Sequence, residues 1–133
     1  MSIERVYDFF KANPTYFLGT MDGMQCQVRP FGTMALVDGK LYIQTGRKKD
    51  VYSQMVQHPR IAICGWDGKG QWVRISATAI EDPSVEAQAK VLDCYPELKA
   101  MYAAGDGNTA VFFLVDGEAH FCSFTAPEEV VKF

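Results

Sequence analysis

Three cations stand in a row at Arg47, Lys48 and Lys49, between a segment that reads as strand and one that reads as helix. Tyr42 and Ile43 are β-formers that follow the turn dipeptide Asp38-Gly39, and Gly46 interrupts them. Val51 and Met55 then fall four apart and Tyr52 and Met55 three apart, the spacing of one helix face. A helix start carries partial positive charge and N–H groups without partners, so it favours acids. Cations there are accounted for by an anion seated among them, and phosphate is the usual one. The plainer alternative is a solvated basic turn. Thr45 adds a hydroxyl at the same corner.

Two other stretches could serve a ligand. In Arg29-Pro30-Phe31-Gly32, a lone Arg sits in a strand with Val28 and Phe31. Its planar guanidinium suits a phosphate or a flat carbonyl-bearing ring. Pro30 cannot donate to a ladder, which makes this strand an edge or a bulge with backbone groups free for a ligand. The alternative is an Arg at a solvated rim. In Gln71-Trp72-Val73-Arg74, an aromatic beside a cation could stack on a flat ligand or enter a subunit contact. Other chemistries find no support. The sequence has two histidines, His58 beside Pro59 and His120 in a late strand, too few for much acid–base work or a structural zinc site. Neither GxGxxG nor GxxxxGK[ST] occurs. If the chain is an enzyme, the reactive atoms belong to a cofactor.

The elements around these residues form one predicted domain, 1–133, large enough for a real core. The net charge of −3 argues against general nucleic-acid binding and makes the basic corner an exception. No apolar run approaches the ~20 residues of a membrane span, the start lacks a signal-peptide pattern, and the four unclustered cysteines read as reduced thiols, so a cytoplasmic location is expected. Ile3, Val6, Tyr7 and Phe10 predict an amphipathic helix capped by Ser2 and ended by Asn13-Pro14. Strands follow at 15–21, at 25–31 continuing past a bend or bulge at Gly32 through 33–37, and at 40–45. A helix spans about 48–57, then come strands at 60–67 and 72–81. Asp82-Pro83 starts a third helix with a Val85, Ala89, Leu92 stripe, and a hairpin of 110–116 and 119–125 turns at Asp116-Gly117. The fold class is mainly β: six to seven short antiparallel strands curling into a small barrel with flanking helices, the tail 127–133 packing on it or adding a short strand.

The order of these motifs resembles the pyridoxamine 5′-phosphate oxidase-like family of FMN-binding split barrels, in its small single-domain bacterial branch. It runs from Arg29-Pro30-Phe31-Gly32 through Leu41–Thr45, Lys48-Lys49 and Val51–Met55 to His58–Ile63 and Trp72–Ala77. The resemblance implies a split-barrel homodimer with FMN in two interfacial clefts. Arg29 would lie near the FMN phosphate or ribityl chain, with Pro30 and Phe31 along the flavin. Thr45 would place its hydroxyl near the ring or ribityl chain, and Lys48 and Lys49 would grip the phosphate. Gln71 and Trp72 match the strand through which the partner closes the cleft. The larger oxidases carry a C-terminal Trp-Arg-x-x-Arg-Leu segment that helps hold the B6 substrate. Here Phe121–Thr125 and Lys132-Phe133 stand instead, which argues against oxidation of pyridoxamine phosphate itself. Relatives of this fold also bind deazaflavin F420 or haem, or reduce nitroimidazoles. The implied activity is an FMN-dependent oxidoreductase acting on a small molecule; the alternative is a non-catalytic FMN, haem or F420 binding module.

Overall fold

The structure is a computed structural model and describes residues 2–133. Its elements run α1 (Ile3–Ala12), β1 (Tyr16–Asp22), β2 (Gln25–Phe31), β3 (Ala35–Val37), β4 (Lys40–Gly46), α2 (Asp50–Gln57), β5 (Arg60–Trp66), β6 (Gln71–Asp82), α3 (Val85–Asp93), a 3₁₀ turn (Pro96–Ala100), β7 (Thr109–Ser123) and β8 (Glu129–Lys132). The eight strands form one antiparallel sheet ordered β2-β1-β5-β6-β7-β4-β3, with β8 paired to β7. Eight strands, against the six or seven expected, complete a mainly β split barrel.

The strands form because polar and apolar residues alternate along them. In β6, Val73, Ile75, Ala77 and Ala79 are buried while Arg74 and Ser76 face out. β5 repeats the pattern with Ile61 and Ile63. These residues meet Leu18, Leu41, Ile43, Met55 and Phe112 in one core. α1 covers one side of it with Val6 and Phe10. That helix lies so close to β5 that a Cβ built on Gly65 would come 2.6 Å from the Phe10 ring.

Two sequence expectations are corrected. First, 110–125 is not a hairpin. It is the single strand β7, with Asp116-Gly117 as a bulge inside it. Ser76 pairs with Glu118 and Thr78 with Val115, so β7 holds one residue more than β6 between these pairs. Asp116 takes the left-handed conformation, φ 49°, that the bulge requires. Gly117 leaves room for the Phe133 ring, whose atoms lie within 2.3 Å of where a Cβ would sit. Second, α3 begins after Ser84, whose hydroxyl accepts from Ala87 N–H, and not at Pro83. Its buried face is Ala87, Gln88, Val91 and Leu92, because it packs against Ala35, Tyr42 and Val111, and Val85 is left exposed.

All four cysteines are unpaired. No helix among the described residues is long and apolar enough to cross a membrane.

Candidate functional site

Four pieces of chain surround a cavity of about 760 Å³, within the usual size range of cofactor and small-molecule sites. The edge strand β2 contributes Gln27, Arg29, Pro30 and Phe31, and the connection after it Gly32 and Thr33. β4 contributes Gln44 and Thr45, and the start of α2 Lys49, Asp50, Val51 and Gln54. The segment around the 3₁₀ turn closes the other side with Tyr95, Glu97, Leu98, Met101 and Tyr102, and Asp22 sits at the end of β1.

Arg29 is fixed rather than loose. Its Nη1 donates to the Thr20 hydroxyl (2.7 Å) and the Leu18 carbonyl (3.2 Å), and its Nη2 donates to Gln54 Oε1 (2.8 Å). The Thr20 hydroxyl also donates to Gln54 Oε1, at 2.6 Å. The β1–β2 hairpin and α2 are thus tied together beneath the cavity by one polar network. Burial pulls the guanidinium below its ordinary pKa, and the nearby Asp50 carboxylate pulls it back up. Its partners are neutral, so the positive charge stays at this wall.

Thr45 holds a buried side-chain oxygen, Oγ1, without a hydrogen-bond partner among the described residues. The residue is 3% exposed and lines the cavity. A buried hydroxyl left unpaired costs free energy, so such an atom calls for an explanation. A ligand group in the cavity supplies one.

The three cations of the basic corner part ways. Lys49 is the N-cap residue of α2 and lines the cavity. Arg47 turns aside to Glu81, its Nη2 donating to Oε2 at 2.9 Å, and this bond raises the Arg47 pKa. Tyr52 donates to the same carboxylate at 2.6 Å. Lys48 is exposed and does not line the cavity. The turn itself is held by Asn108, whose carbonyl accepts from Arg47 N–H (2.7 Å) and whose Oδ1 accepts from Lys48 N–H (3.2 Å).

Of the residues singled out in the sequence, Arg29, Pro30, Phe31, Thr45 and Lys49 therefore share one cavity, and Lys48, Gln71 and Trp72 lie outside it. Gln71 and Trp72 border a separate hollow of about 100 Å³ with Arg5, Phe9 and Phe121. Trp72 packs with Trp66 (ring centroids 6.3 Å apart) and Phe124 (5.1 Å). His120, which shows no acid partner in the sequence, meets Glu128 Oε1 at 2.6 Å through Nδ1, far along β7 from the cavity residues of β4. Sequence reasoning missed Thr20, Gln54, Asp22, Asp50, Glu97 and the two tyrosines. A signal for two of them was present. Thr20 continues the inward Tyr16, Leu18 alternation, and Gln54 lies on the Val51–Met55 face, so both are polar residues at apolar positions.

The sequence profile of the pyridoxamine 5′-phosphate oxidase family matches residues 3–114. The chain belongs to that family. A crystal structure of a NimC/NimA family protein from Clostridium acetobutylicum superposes with a TM-score of 0.95 at 36% identity, over 99% of this chain and 92% of that one. A general stress FMN/FAD binding protein from Xanthomonas citri gives a TM-score of 0.72 at 20% identity, covering 93% of this chain and 89% of that one. A pyridoxamine 5′-phosphate oxidase-related, FMN binding protein from Nostoc punctiforme gives 0.65 at 10% identity, over 98% and 95%. These last two share the fold. A comparison with curated proteins returns no match.

Proposed function

We propose that this chain binds FMN in the cavity between β2, β4 and α2 and works as an FMN-dependent oxidoreductase on a small molecule. The observation that carries the reading is the unpaired, buried Thr45 hydroxyl in a cavity that also holds Arg29 and Lys49. Membership of the family, and the FMN binding named for two proteins of the same fold, support it. Lys49, at the positive end of α2, would take the phosphate. Thr45 would bond a polar atom of the ligand. Arg29, Pro30 and Phe31 would form one wall, the last two offering apolar surface to a flat ring. Arg29 contributes a fixed charge whose position Thr20 and Gln54 set.

FMN held by these residues would supply electron transfer from a reduced nicotinamide or another donor to a small-molecule acceptor. The part this chain's lining residues would play is to bind and orient the ligand, with no His, Cys or Ser among them. Because neither His58 nor His120 reaches the cavity, it offers no imidazole to a haem iron.

A homodimer belongs to the same reading. Trp66 and Phe124 are 49% and 79% exposed, with Phe17 and Val28 exposed on neighbouring strands. Exposed apolar surface of this kind marks an interaction site. Association through it would bring Gln71 and Trp72 towards the partner's cleft.

The first test is the visible spectrum of the purified protein with and without added FMN. Flavin absorption that co-elutes with the chain is expected, and a colourless protein that takes up no FMN overturns the proposal. A second reading is a non-catalytic FMN carrier or sensor, whose motivation is that the lining holds no His, Cys or Ser. Anaerobic stopped-flow mixing with NADH and NADPH separates the two: bleaching of bound flavin supports the oxidoreductase, and flavin inert to both donors and to dithionite-coupled acceptors supports the carrier.

A further inference from the structure

The charges around the cavity do not balance in favour of anions. Its lining holds two cations, Arg29 and Lys49, and three carboxylates, Asp22, Asp50 and Glu97. Arg29 keeps its charge at the β2 wall among neutral hydrogen-bond partners, so the three carboxylates outnumber the cations by one. Lys49 stands at the start of α2, where a phosphate would consume its charge. Asp22 and Glu97 are the two carboxylates outside α2. Both are exposed, and neither takes part in an ion pair or side-chain hydrogen bond among the described residues. They enter from different elements, Asp22 from the end of β1 and Glu97 from the 3₁₀ turn. The unpaired buried hydroxyl of Thr45 in the same cavity marks the space as a ligand site independently of these acids.

We propose that Asp22 and Glu97 set the substrate class of this site: they favour cationic and neutral aromatic molecules over those bearing a carboxylate. The physical reason is direct. A mobile anion in a cavity of this size lies within about one Debye length (~10 Å at 0.1 M salt) of both carboxylates, and low-dielectric walls strengthen the repulsion. An ammonium group gains what the anion loses. The aromatic preference comes from Phe31, Tyr95 and Tyr102 in the same lining. The word "substrate" rests on the oxidoreductase reading; the charge preference of the cavity does not.

The test uses three isosteric probes, benzylamine, benzyl alcohol and benzoate, titrated by ligand-observed NMR into the whole chain with and without saturating FMN. In wild type, benzylamine should bind about tenfold or more tightly than benzoate at 50 mM salt, with a smaller ratio at 500 mM. Asp22→Asn with Glu97→Gln should bring the ratio to within about twofold of unity, while Glu4→Gln, on the exposed face of α1, should leave it unchanged. Three outcomes overturn the proposal: benzoate binding as tightly as benzylamine, a preference that survives the double substitution or falls equally with Glu4→Gln, or no measurable binding of either charged probe. The FMN titration on the same samples reports on the cofactor separately, so a chain that keeps the preference but takes up no FMN refutes only the cofactor reading.

Discussion

Lys49 and Lys48 are neighbours of the same type, and only one of them lines the cavity. This gives the basic corner an asymmetric prediction. Lys49→Glu should weaken FMN binding well over tenfold, since a charge-assisted phosphate contact contributes about 1.5–3 kcal/mol and the substitution adds repulsion. Lys48→Glu should cost less than about threefold, as expected of an exposed and screened charge. Flavin fluorescence titration of both variants checks the pair, and equal losses would place the phosphate elsewhere. Thr45 supports a prediction with opposite signs. In the apo chain its hydroxyl is buried and unpaired, so Thr45→Val should leave the melting temperature unchanged or raise stability by up to about 1 kcal/mol. The same substitution should weaken FMN several-fold. A variant that is destabilised without ligand would mean that the hydroxyl has a structural partner. The two residues also mark how much of the site could be read in advance. Arg29, Thr45 and Lys49 stand out because type and position along the chain suffice to flag them. Glu81 as the counter-ion of Arg47 does not, because 34 residues separate the two and only the pairing of the strands brings them together.

At the scale of elements, the site depends on how α2 is held at its start and along its buried face. Its start is fixed by the loop before β7, where Asn108 binds the Arg47 and Lys48 N–H groups. Asp106 organises that loop by accepting from the backbone N–H groups of Ala103, Asn108 and Thr109. Those three donors hold its carboxyl far below the usual carboxylate range. A depressed folded-state value means that the stabilisation is fully present above the unfolded value of about 3.9 and is lost as pH falls through the folded one. The loop should therefore exchange its amide protons at a rate that follows ordinary chemical pH dependence from neutral pH down to about pH 4, and open in stronger acid. Asp106→Ala should open it at neutral pH and weaken FMN without touching the cavity. Hydrogen exchange of residues 103–109, set beside the FMN titration, reads both. Further along α2, Gln54→Leu removes the oxygen that joins Thr20 to Arg29 and should cost about 1–3 kcal/mol in a denaturant titration. Element types and most boundaries were legible because alternation and helical spacing are local. The Asp116-Gly117 bulge was not. The same dipeptide that turns a hairpin also supplies a left-handed residue to a bulge, and only the partner strand decides which forms. The face of α3 was misjudged for a related reason: the surface it packs on, Tyr42 and Val111, lies on strands remote in sequence.

For the molecule as a whole, the two faces of the barrel wall have opposite characters. Inside, the alternation buries a continuous core. Outside, strand pairing sets Phe17 beside Cys64, Cys64 beside Arg74 and Trp66 beside Trp72, and the Phe124 ring packs edge-on to Trp66 and tilted against Trp72. A sheet needs only one apolar face to fold, so large exposed aromatics on the second face do nothing for the isolated chain and cost it solubility. Their exposure makes sense if a second copy covers them, and aromatic residues beside Arg are what interface centres favour. The prediction is a dimer by size-exclusion chromatography with light scattering. Trp66→Ser combined with Phe124→Ser should convert it to a folded monomer, because both side chains are half-exposed or more and neither belongs to the core. If the partner's Gln71 and Trp72 complete the cleft, that monomer should also bind FMN more than tenfold more weakly, although no cavity residue has changed. A dimer that survives the double substitution would move the interface elsewhere. A clean monomer with full FMN affinity would instead show that one chain's cavity suffices, and would return Gln71 and Trp72 to a purely structural role.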